Sequence, residues 1–139
     1  MPIATVVRVV DASAVAALLF GEPDAETVAD GLTGARLCAP QLLEFEIANV
    51  CVVKMRRHPD RRDALAAAFG RRGRLAIEAA EVDFQEVVDL ASATGLTAYD
   101  ASYLWLAQRL DAELVTLDRR LAAAATTARA KWSGGASAR

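Results

Sequence analysis

With 139 residues, 54% of them hydrophobic and 24% charged, the chain suffices for one domain with a real core and is no disordered tail. A formal net charge of -2, with lysine only at Lys54 and Lys131, argues against holding nucleic acid by bulk charge alone. Two cysteines without CxxC spacing (Cys38 and Cys51) and a single histidine (His58) disfavour a disulfide scaffold, a zinc site and a Ser-His-Asp hydrolase.

The pattern alternates strands and helices. Thr5 to Val10 is β-branched and reads as a buried strand ending at Asp11. Ala12 to Phe20 is a helix closed by Gly21, and Asp24 to Leu32 is a second. Arg36 to Ala39 forms a short strand, after which Pro40 starts a long helix to about Arg57. His58-Pro59 breaks that helix; Asp60 to Phe69 is the next, ending at Gly70. Leu75 to Ala79 reads as a strand, Asp83 to Thr94 as a helix stopped by Gly95, and Thr97 to Leu110 as another. Glu113 to Thr116 is a strand, and Asp118 to about Arg129 the last helix. The expected organisation is one domain over residues 1–132, with a loose tail over 133–139.

Such alternation without hairpin signals predicts an α/β domain with a mostly parallel sheet. No apolar window reaches membrane-spanning length, and the N-terminus lacks a basic signal-peptide region, so a cytoplasmic protein is expected. In open parallel sheets the functional crevice lies beyond the carboxyl ends of the strands. In this chain those ends carry acids.

Asp11 comes directly after the first strand and Asp118 after the last, although each also suits a helix N-cap. Asp100 completes a capping-box pattern with Thr97, in a helix whose Tyr99, Tyr103, Leu106 and Leu110 keep apolar spacing. Glu46 stands in a helix apolar nearly all round (Leu42, Leu43, Phe45, Ile47, Val50 to Val53), which predicts burial. A buried carboxylate there needs a partner or a cation. Glu44 points about 200° away from Glu46 and is free to reach solvent or an Arg. Four carboxylates from separate segments are explained together if they converge on a hard divalent cation, magnesium or manganese. The chemistry implied is metal-assisted phosphoryl transfer or phosphodiester hydrolysis.

Four segments carry a family resemblance: Val9-Val10-Asp11-Ala12-Ser13, Ala39-Pro40 through Glu46-Ile47-Ala48-Asn49, Leu96-Thr97-Ala98-Tyr99-Asp100-Ala101-Ser102-Tyr103, and Leu114-Val115-Thr116-Leu117-Asp118. In this order and spacing the chain resembles PIN-domain ribonucleases, and more narrowly the VapC-type toxins of bacterial toxin-antitoxin pairs. The resemblance implies a three-layer α/β/α fold, Asp11, Glu46, Asp100 and Asp118 as a catalytic, metal-binding cluster, and Thr116, Asn49 and Ser13 as supporting groups. It further implies Mg2+ or Mn2+ as cofactor, RNA as substrate, a VapB-type antitoxin partner and a homodimer. The family's usual final strand is not evident after the last helix. Two alternatives remain: a non-catalytic PIN-like interaction module, and a PIN nuclease of RNA processing outside a toxin-antitoxin pair.

Half of the 16 cations lie between residues 54 and 74. Arg56, Arg57, Arg61, Arg62, Arg71 and Arg72 are either a rim for RNA or antitoxin or a solvated surface offset by Asp60 and Asp63.

Overall fold

The computed structural model describes residues 5–127. Its four strands, β1 (Val7–Val10), β2 (Arg36–Pro40), β3 (Ile77–Ala80) and β4 (Glu113–Val115), form one sheet in the order β3-β2-β1-β4, every pair parallel. The α/β architecture expected from the alternation is therefore present. Between the strands lie α1 (Ala12–Phe20), α2 (Ala25–Leu32), α3 (Leu42–Arg57), α4 (Arg62–Gly70), α5 (Phe84–Thr94) and α6 (Ala98–Arg109), and a helix α7 covers 119–127.

The strand order decides where the helices go. The chain steps from β1 to β2 to β3 in one direction, so right-handed crossovers put α1 to α4 on one face. The step from β3 back to β4 runs the other way and puts α5 and α6 on the opposite face. Consistently, α6 packs on β1, β2 and β4, while α1 packs against α2, α3 and α4. Covered on both faces, β1 reads as an apolar run, and Val9 and Val10 are fully buried. The core also takes in Ala14 and Val15 of α1, Ile47 of α3, Tyr103, Leu104 and Leu106 of α6, and Leu121 of α7. Each such aliphatic side chain contributes roughly 1.5–3 kcal/mol by leaving water.

Several boundaries differ from the sequence reading, each for a local reason. Pro40 does not start α3; it ends β2, opposite Ala80, past Cys38, the last residue in register with β1. A proline is tolerated at such a strand end. The stretch read as one helix from Asp60 starts as a 3-10 turn, Pro59–Arg61, before α4. The third strand starts at Ile77 rather than Leu75, because Arg72–Leu75 winds into a second 3-10 turn that ends on Ala76 with φ 52°. That left-handed residue sets the chain back into the sheet direction. Gly21 and Gly95 close α1 and α5 with φ of 65° and 75°, a conformation glycine adopts without steric cost. The 133–139 tail, Trp132, the far end of the last helix and any final strand lie outside the described residues. Among the described residues no helix is long and apolar enough to cross a membrane.

Candidate functional site

Strand β1 is where the chain's direction of travel reverses: β2 is reached on one side and β4 on the other. A sheet of this kind opens a crevice at the carboxyl ends of the two strands flanking that point. Asp11 comes directly after β1 and Thr116 directly after β4, so topology alone brings residues 105 apart into contact.

Asp11 is 5% exposed and heavily hydrogen-bonded. Its Oδ1 caps α1 by accepting from the Ala14 amide at 3.0 Å and accepts from the Ser13 hydroxyl at 2.7 Å. Its Oδ2 accepts from the Thr116 hydroxyl at 2.5 Å. Ser13 and Thr116 each own one proton, and both are donated to Asp11, so their own 3.3 Å approach is packing. The lone pairs left over accept backbone amides, Leu117 on Ser13 at 2.8 Å and Asp118 on Thr116 at 2.9 Å. This mesh ties the β4–α7 loop to the start of α1. Within it Asp118 caps α7, its Oδ1 accepting from the Leu121 amide at 3.0 Å.

The other two acids arrive from helices. Thr97 caps α6 by accepting from the Asp100 amide at 3.1 Å, which sets Asp100 in the first turn, facing the cleft. Glu46 projects from α3 and accepts from the Tyr103 hydroxyl of α6 at 2.6 Å, joining the two helical layers across the end of the sheet. The partner required by a buried carboxylate is therefore a tyrosine. The prediction that α3 is buried all round is corrected: only Leu43, Ile47 and Cys51 are, while Phe45 is 78% exposed.

Asp11, Glu46, Asp100 and Asp118 line one cleft, with Glu22 and Asp24 of the α1–α2 connection on its wall and no Lys or Arg in the lining. At three of these carboxyls the crowding of like charge adds to the effect of burial. Burial, and after it the charge of Asp118, pushes the Asp11 carboxyl above the usual range, against the pull of its three hydrogen bonds. Glu46 is raised by burial and by Asp100 and Asp11, with the Tyr103 bond opposing. Asp100 is raised by burial, Asp118 and Asp11, with Arg120 opposing. The Tyr103 hydroxyl, buried and donating to Glu46, is held firmly protonated.

Does such a site suit a divalent ion? The donors are all hard oxygens and carry mutual repulsion that a cation relieves. No three Asp, Glu, His or Cys among the described residues are drawn into a ready-made cage. An ion that keeps several of its own waters, as magnesium does, does not require such a cage.

Of the remaining predicted residues, Ser13 and Thr116 sit at the centre of the mesh around Asp11. Asn49 does not reach the cleft: it is exposed on α3 and absent from the lining, because one residue before Val50 the helix has already turned it outward. Glu44 does pair with an arginine, Arg72, at 3.0 Å. Arg72 also lies over the Phe69 ring, 4.2 Å from its centroid. Arg56, Arg57, Arg61, Arg62 and Arg71 are exposed, with no ion pair among the described residues. Sequence reasoning missed the cleft role of Tyr103, whose helical spacing suggested only packing, and of Glu22 and Asp24. The one signal for Tyr103 was a phenol on the buried face of α6, which needs an acceptor.

Comparison with known proteins bears on the fold and the family. The PIN domain family matches residues 8–126. Ribonuclease VapC9 of Mycobacterium tuberculosis is 38% identical over 120 residues, spanning 81% of this chain and 87% of that protein. Ribonuclease VapC3 of Pyrobaculum aerophilum is 33% identical over 119 residues, spanning 82% and 91%. Among solved structures, PAE2754 from Pyrobaculum aerophilum superposes with a TM-score of 0.70 at 27% identity, covering 93% of this chain and 96% of that one.

Proposed function

The chain belongs to the PIN-domain family, among its VapC-type ribonucleases, and we propose on that footing that it hydrolyses RNA phosphodiester bonds with divalent-metal assistance. The observation that carries the reading is the cleft: four carboxylates from four different elements, and no cation in the lining. In this reading Asp11, Glu46, Asp100 and Asp118 hold Mg2+ or Mn2+. The bound ion supplies charge neutralisation at a phosphate and makes water more acidic.

The chain's own residues do the rest. Ser13 and Thr116 donate to opposite oxygens of Asp11 and so fix the plane of its carboxylate. Tyr103 occupies Glu46 Oε1, which leaves the lone pairs of Oε2 available to a ligand. The α6 N-terminus, capped by Thr97, places the positive end of a helix dipole beside Asp100 and favours its ionised form against the crowding. Rigidity of this kind lowers the reorganisation needed when a substrate arrives. The biological setting we propose is the toxin half of a toxin-antitoxin pair in the cytoplasm, working as a homodimer and silenced by a VapB-type antitoxin.

The test is incubation of the protein with total RNA and Mg2+ or Mn2+, with mapping of fragment ends and an Asp11→Asn control. Metal-dependent fragments absent from the control are expected. Equal cleavage by the variant would overturn the assignment, and no cleavage at any metal concentration would favour a non-catalytic interaction module.

A further inference from the structure

An RNA strand lying in this cleft meets six carboxylates. A divalent ion at Asp11, Glu46, Asp100 and Asp118 offsets the repulsion of that set alone. Glu22, on the wall of the same cleft, is outside that set and needs a cation of its own.

One is in place. Lys54 Nζ lies 2.7 Å from Glu22 Oε1 and 5.6 Å from the centroid of the Phe20 ring. Glu46, Val50 and Lys54 recur every four residues along α3 and so share one face. Glu46 and Val50 line the cleft, and Lys54 continues that stripe by one more turn. Both partners of the pair keep about a third of their side-chain surface in water, 28% for Lys54 and 32% for Glu22. A pair so exposed adds little to stability and exchanges partners readily. The Phe20 ring steers the lysine stem and keeps its ammonium at the cleft edge whichever anion it holds.

We propose that Lys54 is a phosphate-binding residue for the RNA strand, and that Glu22 is an internal competitor holding its ammonium until a backbone phosphate displaces it. The proposal rests on the ribonuclease reading and adds to it the direction in which the strand leaves the metal-binding end, along α3 toward Lys54. It also separates Lys54 from the arginines of residues 56–74, which have no ion pair with an acid of the cleft wall.

The expected effect has a sign: removing an acid from the wall strengthens binding, and does so only through Lys54. Binding of a labelled single-stranded oligoribonucleotide of mixed sequence is measured over a range of salt, in the Asp11→Asn background so that the strand survives. Lys54→Met is expected to weaken binding about ten-fold and to lower the salt slope by about 0.7, the value of one phosphate contact on a single strand. Glu22→Gln is expected to tighten binding about three-fold, and that gain is expected to vanish in the Glu22→Gln, Lys54→Met double variant. A gain that survives without Lys54 reflects general relief of negative charge and overturns the proposal, as does an unchanged salt slope in Lys54→Met. The ribonuclease reading itself fails on a separate result, absence of RNA cleavage by the unsubstituted protein with Mg2+ or Mn2+. Thermal unfolding of each variant confirms that the comparison is between folded proteins.

Discussion

The molecule carries two concentrations of charge, and they are built in opposite ways. The acids of the cleft come from residues far apart in sequence, and three of the four central ones are held by named donors: Ser13, Thr116 and the Ala14 amide on Asp11, Tyr103 on Glu46, the Leu121 amide on Asp118. The cations of residues 54–74 are neighbours in sequence, yet most point into water from α3, α4 and two 3-10 turns. Charges at the ends of strands and helices that meet at one sheet edge are forced together. Charges along a helix surface are spread around its axis every 100° or so and stay solvated. Only the first kind stores the electrostatic tension that a bound ion can release.

The sharpest way to break the contrast is Asp11→Asn. RNA cleavage is expected to fall by about 10³-fold or more, as when a single group that organises charge in the reacting state is lost. The fold is expected to survive, because Asn caps helices as well as Asp does. Normal circular dichroism with no cleavage is the diagnostic pair of results.

Metal and pH test the stored tension itself. Asp11, Glu46 and Asp100 have carboxyl pKa values raised above their unfolded values. Their contribution to stability is therefore complete below the unfolded carboxylate range and is lost as pH rises through the raised folded values. Metal-free protein is expected to melt at lower temperature as pH climbs from mildly acid to neutral. Mn2+ at a hundred-fold excess over its Kd restores about 2.7 kcal/mol, on the order of 8 °C, and this gain grows with pH. An Asp11→Asn, Asp100→Asn double variant is expected to lose the metal response and to keep only the part of the slope that burial of Glu46 supplies.

Removing the donor to Glu46 sharpens the comparison further. Tyr103→Phe is expected to weaken Mn2+ binding by roughly ten-fold, the scale of outer partners that orient metal ligands. Titration calorimetry of the variant, alone and combined with Glu46→Gln, separates orientation from packing. Orientation predicts no further loss of affinity in the combination.

On the cationic side the effects are smaller. Arg61→Glu with Arg62→Glu is expected to weaken RNA binding and lower the salt slope by about 1.4 if both meet phosphate. An unchanged slope would place them on solvated surface. Smallest of all is Glu44→Gln, which breaks an exposed pair with Arg72 and is expected to cost less than about 1 kcal/mol in urea unfolding, with cleavage unaffected.

Much of the site was legible before folding. Asp11 and Asp118 stood directly after apolar β-branched runs, and Thr97 announced the helix that presents Asp100. Glu46 was conspicuous as an acid in an apolar helix, although the inference of full burial was wrong for that helix. Asn49 was named as a supporting group, and on α3 it is exposed to solvent. Tyr103 and Glu22 were not legible, because neither helical spacing nor a loop acid says which distant residue it will face.

Local sequence was enough for the alternation of strands and helices, the caps and breaks that end them, and the choice of candidate acids. These are local matters, set by backbone preference and by periodicity over a few residues. Tertiary structure alone decided that Thr116 donates to Asp11 across 105 positions and that Tyr103 is the partner of Glu46. It also set Lys54 against Glu22 and left its arginine neighbours in water. The reason is the strand order: a crossover that reverses at β1 brings the ends of remote elements to one point, and no local pattern encodes which point that is.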